Sequence, residues 1–207
     1  MGAQDDQPSI DRIADLQQLI SNFAGIKRVL NLADSGRSEN DAEHSYGLAL
    51  TCLFLAPKLA PELDLTKILT YALCHDLVEI HSGDTFIFDK AGTSTKKSRE
   101  ESAVARLEQE WPDFSVMTEA TKRYLHKADE EATFVYTVDK ILPCLMINLG
   151  EKDAYWKHHK ITRQMLEENK KKTMSYSKYL KGYDEKLFQW LLDPDYYYKP
   201  DTKSSSN

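Results

Sequence analysis

Between residues 65 and 80 an apolar stripe turns ionisable without losing its helical period: Leu65, Ile68, Leu69 and Ala72 are followed on the same face by His75, Asp76 and Glu79. Positions i, i+3, i+4 and i+7 share one side of a helix, so these three polar side chains point where the leucines point. The interruption recurs twice. Along 130–149 the stripe of Val135, Val138, Leu142, Met146 and Leu149 holds Asp139 in its middle, and along 41–57 His44 shares a face with Leu48, Cys52 and Leu55. An inward carboxylate costs several kcal/mol unless it is protonated, paired or metal-bound. Any fold open to this chain must bring partners to those groups, which prunes the solutions more than any other feature.

Each residue alone has a plain reading. A single histidine on an apolar face is commonly a core histidine bonded to backbone, and a single aspartate is often a cap or an ion-pair member. Lys140 adjoins Asp139 but, by spacing, faces elsewhere. The ordered set says more: one His, then an adjacent His-Asp pair, then a distant Asp, each on its own helix. One divalent cation satisfies all four, His44, His75, Asp76 and Asp139. Imidazole and carboxylate suit Mn, Fe, Co, Ni or Zn about equally, so the donor types leave the metal open.

Glycine (8) and proline (7) are few, and long stretches repeat at helical rather than strand period. The pattern predicts helices over 9–31, 41–57, 65–80, 97–110, 114–127, 130–149, 151–170 and 174–192. Asp34–Ser35–Gly36 is expected to stop the first, Pro57 and Pro61 the second, Ser82–Gly83–Asp84 the third, and Trp111–Pro112–Asp113 to part the fourth from the fifth. Pro143 is expected to kink the sixth past Asp139. Residues 84–95, with Gly92, read as a long loop. The expected organisation is a flexible 1–8, one all-α single-domain helical bundle over 9–193 with the metal site between helices, and a disordered 194–207.

The net charge of −6 does not suit coating a nucleic acid polymer, so an anionic ligand needs a local basic pocket. No apolar run reads as long enough to span a bilayer and no leader pattern opens the chain, so neither a membrane nor export is expected. Cys52, Cys74 and Cys144 lie among aliphatic neighbours without CxxC spacing and read as reduced core thiols of a cytoplasmic protein. Lys96–Lys97 and Lys170–Lys171–Lys172 read as solvated helix faces, and His126, His158 and His159 as surface.

Three segments carry a family resemblance: Ser38–Glu39–Asn40–Asp41–Ala42–Glu43–His44–Ser45; His75–Asp76–Leu77–Val78–Glu79 with Ser82–Gly83–Asp84; and Val138–Asp139–Lys140. They resemble the HD-domain metal-dependent phosphohydrolases, most closely the 5′-deoxynucleotidase branch, over roughly 20–165. The resemblance implies His44, His75, Asp76 and Asp139 around one divalent metal, Glu79 as the proton-transfer group, and Asp84 holding the attacking water or a substrate hydroxyl. It also implies a basic residue of the first helix at the phosphate, for which Arg28 and Lys27 are candidates, with Arg37 a further one. The implied substrate is a small phosphate ester, a (deoxy)nucleoside 5′-monophosphate, and a homodimer is consistent with it, the faces of Trp156 and Trp190 being candidate surfaces. The chain departs from that branch where Val29 follows Arg28 in place of tryptophan and where Thr85–Phe86–Ile87–Phe88 follows Gly83–Asp84. Rival readings are hydrolysis of another phosphate ester (a diester, a nucleoside triphosphate or guanosine tetraphosphate), a di-iron oxygenase of the same fold, and a non-catalytic binding module. The second needs two further histidines, and the third would normally have lost a ligand.

Overall fold

In the computed structural model, which describes residues 7–32, 35–150, 152–191, 195 and 197–200, the Ser9 side chain accepts the Arg12 amide at 3.1 Å and starts α1, Ile10–Ala24. The expected 9–31 helix ends there, at Gly25. Lys27–Asn31 form β1, antiparallel to β2, Ser38–Asn40. The β-branched Ile26 and Val29 favour extended backbone, and the two-residue strand period turns Lys27 and Val29 outward while Arg28 and Leu30 face in. Ser35 and Gly36 lie in the connecting turn, closed by the Leu32 amide on the Arg37 carbonyl at 3.0 Å; Asp34 is outside the described residues.

Asn40 and Glu43 form a reciprocal capping box that opens α2, Asp41–Leu59, with the Glu43 amide 3.0 Å from Asn40 Oδ1. Pro57 does not close this helix. It sits in the last turn, where the missing amide costs one bond, and Ala60 caps three residues later, just before Pro61. The third expected helix is also broken. α3 is Leu65–Cys74; His75–Val78 form tight turns with three-residue hydrogen bonds, Glu79 to Asp76 at 2.8 Å among them; α4 is Glu79–Ser82. Gly83, at φ 71°, adopts a conformation that a side chain would strain, and ends α4 where Ser82–Gly83–Asp84 predicts an end.

α5, Lys90–Glu110, starts inside the expected 84–95 loop because the Asp89 side chain accepts the Ala91 amide at 3.0 Å. α6, Ser115–His126, and α7, Glu130–Leu149, follow the predicted spans. The 151–170 pattern splits into α8, Lys152–His158, and α9, Arg163–Met174, at Lys160, whose φ is 54°. The 174–192 pattern becomes a 3₁₀ turn, Lys178–Leu180, and α10, Tyr183–Trp190. Residues 1–6 and 201–207 lie outside the described residues; Tyr197, in the expected disordered stretch, is instead buried with its ring 5.9 Å from Trp156. Trp156 is itself interior, which removes it as a dimer surface, while Trp190 is exposed.

The expected all-α class holds, with one two-stranded hairpin among the described residues. α7 runs through the middle. Phe134, Val135 and Val138 pack with Leu48, Ile68 and Tyr71 of α2 and α3, while Ile141, Cys144 and Ile147 pack with Trp156, Leu166 and Leu187. By length and composition α7 is apolar enough to cross a membrane, contrary to the expectation that no run is, but half of it is buried in this core and it carries Asp139. A third cluster joins Phe23, Val78, Leu107 and Met117. Cys52 and Cys144 are buried free thiols, as expected, and Cys74 is partly buried.

Asp129 caps α7 through the Ala132 amide at 2.8 Å and accepts from Tyr71 Oη at 2.7 Å, Arg123 at 2.6 Å and Lys67 at 2.9 Å. Burial pushes its carboxyl upward, but Lys67, the cap amide and Arg123 outweigh that and hold it well below the usual range. A depressed folded value stabilises above the unfolded pKa and is lost as pH falls through the folded one. Asp129→Ala is expected to lower stability by about 1–3 kcal/mol at pH 7. Urea titrations of both proteins should show the gap narrowing below about pH 3.8; a constant gap would contradict the ion-pair account.

Candidate metal centre and cleft

His44, on the first turn of α2, places Nε2 2.9 Å from Oδ1 of Asp139 on α7. The other oxygen, Oδ2, accepts from Tyr124 Oη at 2.8 Å and Lys140 Nζ at 2.6 Å. Lys140 therefore does not face elsewhere, as spacing suggested; its flexible stem folds back onto its neighbour. Burial opposes ionisation of Asp139, but Lys140 and His44 hold its carboxyl well below the ordinary value. The same contact, with Glu39 3.5 Å from Nδ1, raises His44 to about 9 against the opposing effect of burial.

The turn after α3 sets the other half. His75 is fully buried, and its Nδ1 lies 2.9 Å from the Ala72 carbonyl. A carbonyl only accepts, so Nδ1 carries the proton and Nε2 presents a lone pair. Nε2 has no hydrogen-bond partner, yet stands 2.9 Å from Asp76 Oδ2. Two buried acceptors facing each other repel unless a cation lies between them. Donors bound to one ion at about 2.0–2.2 Å stand roughly this far apart. One donor atom each from His44, His75 and Asp76 lies within 4.8 Å of the others, and Asp139 touches His44 at the edge of that group. Three of the four expected ligands thus converge, with Asp139 adjoining them through His44, and the orphaned Nε2 with its backbone-fixed tautomer fits a divalent metal.

Arg28 reaches in from β1, with Nη1 2.9 Å from Asp76 Oδ2 and 3.1 Å from Asp41 Oδ1, and Nε 3.4 Å from Glu39. Burial acts to raise the Asp76 carboxyl and the Arg28 guanidinium acts to lower it. Glu79 is buried and faces Asp76, Asp41 and Asp84; burial first, then those like charges, push it up to about 10. Asp41 rises to about 6, chiefly by burial and then by Asp76.

Arg28, Asp76, Glu79 and Asp84 line one part of a cleft of about 320 Å³. Apolar and aromatic side chains, among them Phe86, Phe88, Tyr155 and Trp156, line more of it. Lys27 is exposed on the outer face of β1, and Arg37 pairs with Glu43 at 2.6 Å on the surface; neither lines the cleft. Lys96 and Lys170, expected to be solvated, both line it, and Lys170 is buried with its ammonium on the Lys140 carbonyl. Sequence patterning also passed over Tyr124 and Asp41. The spacing of Tyr124 from Met117 and Ala120 marks an inward face of α6, which was the available signal. Histidines beyond the centre are engaged elsewhere: His81 with Glu110 at 2.9 Å, and exposed His126 with the Lys122 carbonyl.

A family model described as an HD domain matches residues 25–180. Among solved structures, a predicted metal-dependent phosphohydrolase from Magnetospirillum magnetotacticum MS-1 is 27% identical with a TM-score of 0.76, over 93% of this chain and 100% of that one. A conserved hypothetical protein from Pyrococcus furiosus is 26% identical with a TM-score of 0.58, over 85% of this chain and 99% of that one. A protein from Pyrococcus horikoshii OT3, at 24% identity and a TM-score of 0.60 over 85% and 98%, shares the fold. No curated protein matches the chain.

His75→Ala is expected to abolish stoichiometric binding of one divalent ion while the helical circular dichroism persists. Tyr124→Phe, which removes only the hydroxyl on Asp139, should weaken metal binding about tenfold. Metal content by mass spectrometry after dialysis, and titration with Mn²⁺, measure both; unchanged affinity in either variant would place the ion elsewhere.

Proposed function

The chain belongs to the HD-domain family, and from that premise we propose that it is a metal-dependent phosphohydrolase that removes the 5′-phosphate from (deoxy)nucleoside monophosphates. The observation that carries the reading is the grouping of His44, His75 and Asp76 donors, with Asp139 on His44, beside a cleft that Asp76 lines together with Arg28, protonated Glu79 and Asp84. The likeness to a structure described as a predicted metal-dependent phosphohydrolase supports it.

His44, His75, Asp76 and Asp139 would hold the ion, which supplies charge for a phosphoryl oxygen and acidity for a bound water. Arg28 adds a planar guanidinium, fixed by Asp76 and Asp41 and aimed along the cleft. In hydrolysis a water oxygen bonds to phosphorus, the bond to the 5′ oxygen breaks, and a proton must reach that leaving oxygen. Glu79 is placed to move it: burial and three neighbouring carboxylates keep a proton on it at neutral pH. Asp76, when holding a cation, would repel the Glu79 carboxylate less, which would bring its proton affinity toward the range where transfer is efficient. Asp84, on the backbone bend after Gly83, lines the cleft beside it and orients the water. The aromatic wall of Phe86 and Trp156 suits a planar base. The di-iron alternative lacks its two extra histidines near the centre among the described residues.

Phosphate release from ribo- and deoxynucleoside 5′-monophosphates, diphosphates and triphosphates by metal-stripped chain reloaded with Mn²⁺, Co²⁺ or Zn²⁺ tests the proposal. Metal-dependent release from monophosphates is expected, and silence across the panel with one ion bound would overturn the substrate. Glu79→Gln should keep the ion and lose about 10²-fold or more in kcat; undiminished turnover would remove Glu79 from proton transfer.

A further inference from the structure

The same cleft also carries basic groups although the chain as a whole carries −6. Lys96, Lys127 and Lys140 all line it. Two of them meet at one ring: the Lys127 ammonium stands 4.1 Å and the Lys140 ammonium 5.4 Å from the Tyr136 centroid. Like charges gathered in a partly desolvated cleft repel, so each needs a compensating anion. Lys140 has Asp139 at 2.6 Å, and Lys96 has Glu100 at 3.4 Å and Glu79 at 4.0 Å. Among the described residues Lys127 forms no ion pair; its partners are the faces of Tyr136 and, at 5.2 Å, Tyr176. Burial first, then repulsion from Lys140, lowers its pKa, with only Glu100 acting against them. The backbone is held at a cost as well. Lys127 caps α6 at φ 51°, a conformation in which glycine or asparagine is the ordinary occupant.

A half-buried lysine without a counterion, in a strained position, on the same cleft as a phosphate centre lacks an anion that the protein does not supply. In the phosphohydrolase reading Arg28 and the metal would take one phosphoryl group; Lys140 and Lys96 adjoin that region through Asp139 and Glu79, whereas Lys127 stands against Tyr136 and Tyr176. We propose that Lys127, with Lys140 and Lys96, forms a second anion subsite that binds, without cleaving, a second phosphoryl group of the substrate. The substrate class is then a nucleoside 5′-phosphate bearing a further phosphate, with its base against the aromatic wall. This deepens the phosphohydrolase reading and rests on it for catalysis, whereas the subsite itself rests on the lysines.

Calorimetric titration of the Mn²⁺-loaded full chain with AMP and with adenosine 3′,5′-bisphosphate, paired with phosphate-release assays on both, tests it. The bisphosphate is expected to bind at least about tenfold more tightly, the effect of one charge-assisted contact. In Lys127→Asn, which suits the left-handed backbone and so guards the fold, that ratio should collapse toward one, and Lys127→Arg should restore it. A ratio near one in the unaltered chain, a ratio that survives Lys127→Asn, or no binding of the bisphosphate would each overturn the subsite. Preferential binding with no phosphate released from either nucleotide would uphold the subsite and sink the hydrolase reading; turnover of AMP with no bisphosphate preference would do the reverse.

Discussion

A fully enclosed carboxylate, Asp139, sits at the centre of the longest core helix, and the site is organised around the groups that make it tolerable. Its two oxygens are taken by His44 from α2, Tyr124 from α6 and the neighbouring Lys140. Removing one partner of such a buried charge costs about 3–5 kcal/mol, because the remaining charge stays behind. α2, α6 and α7 are thereby held in one relative placement by polar contacts as well as by packing. A leucine at the same position would fill the core of Val135 and Val138 and leave His44 and Tyr124 without their acceptor.

The second constraint is local. Had 65–80 continued as one regular helix, His75 and Asp76 would diverge by the ordinary helical rotation of adjacent residues. The tight turns after Cys74 instead bring His75 Nε2 and Asp76 Oδ2 within 2.9 Å, and the Ala72 carbonyl fixes the ring so that its lone pair faces the carboxylate. Short three-residue hydrogen bonding in the middle of a helical pattern commonly marks a functional position. Here the reason is visible: it converts two neighbours on a stripe into two donors aimed at one point.

Charges of both signs meet in the cleft. The acidic groups concentrate where a cation, Arg28, Lys140 and Lys96 can balance them, and the Lys127 ammonium, without an ion pair among the described residues, stands over Tyr136. Desolvation strengthens every interaction inside such a cleft, so a ligand with two separated negative groups would meet both regions at once. The aromatic residues of 84–88, α8 and the buried Tyr197 brace the apolar wall.

Hydrophobic period alone determined that the chain is helical, that α2, α6 and α7 occupy their spans, and that His44, His75, Asp76 and Asp139 point inward. Those facts follow from local geometry, since residues three and four apart must share a face. These inward polar residues were legible because a polar residue on an apolar stripe is conspicuous wherever the stripe packs. What tertiary structure decided was of another kind. The 9–31 pattern divides at Gly25, and only the pairing of 27–31 with 38–40 turns Arg28 toward Asp76 while sending Lys27 outside. Helical period could not separate those neighbours, because a strand's two-residue alternation is invisible until its partner is known. Lys96 and Lys170 looked like solvated charges and Lys140 like one facing away from Asp139, for a long aliphatic stem lets an ammonium reach far from where its Cα points. Their gathering with Lys127 around one cleft depends on α5, α6, α7 and α9 meeting there, a matter of packing between segments far apart in the chain.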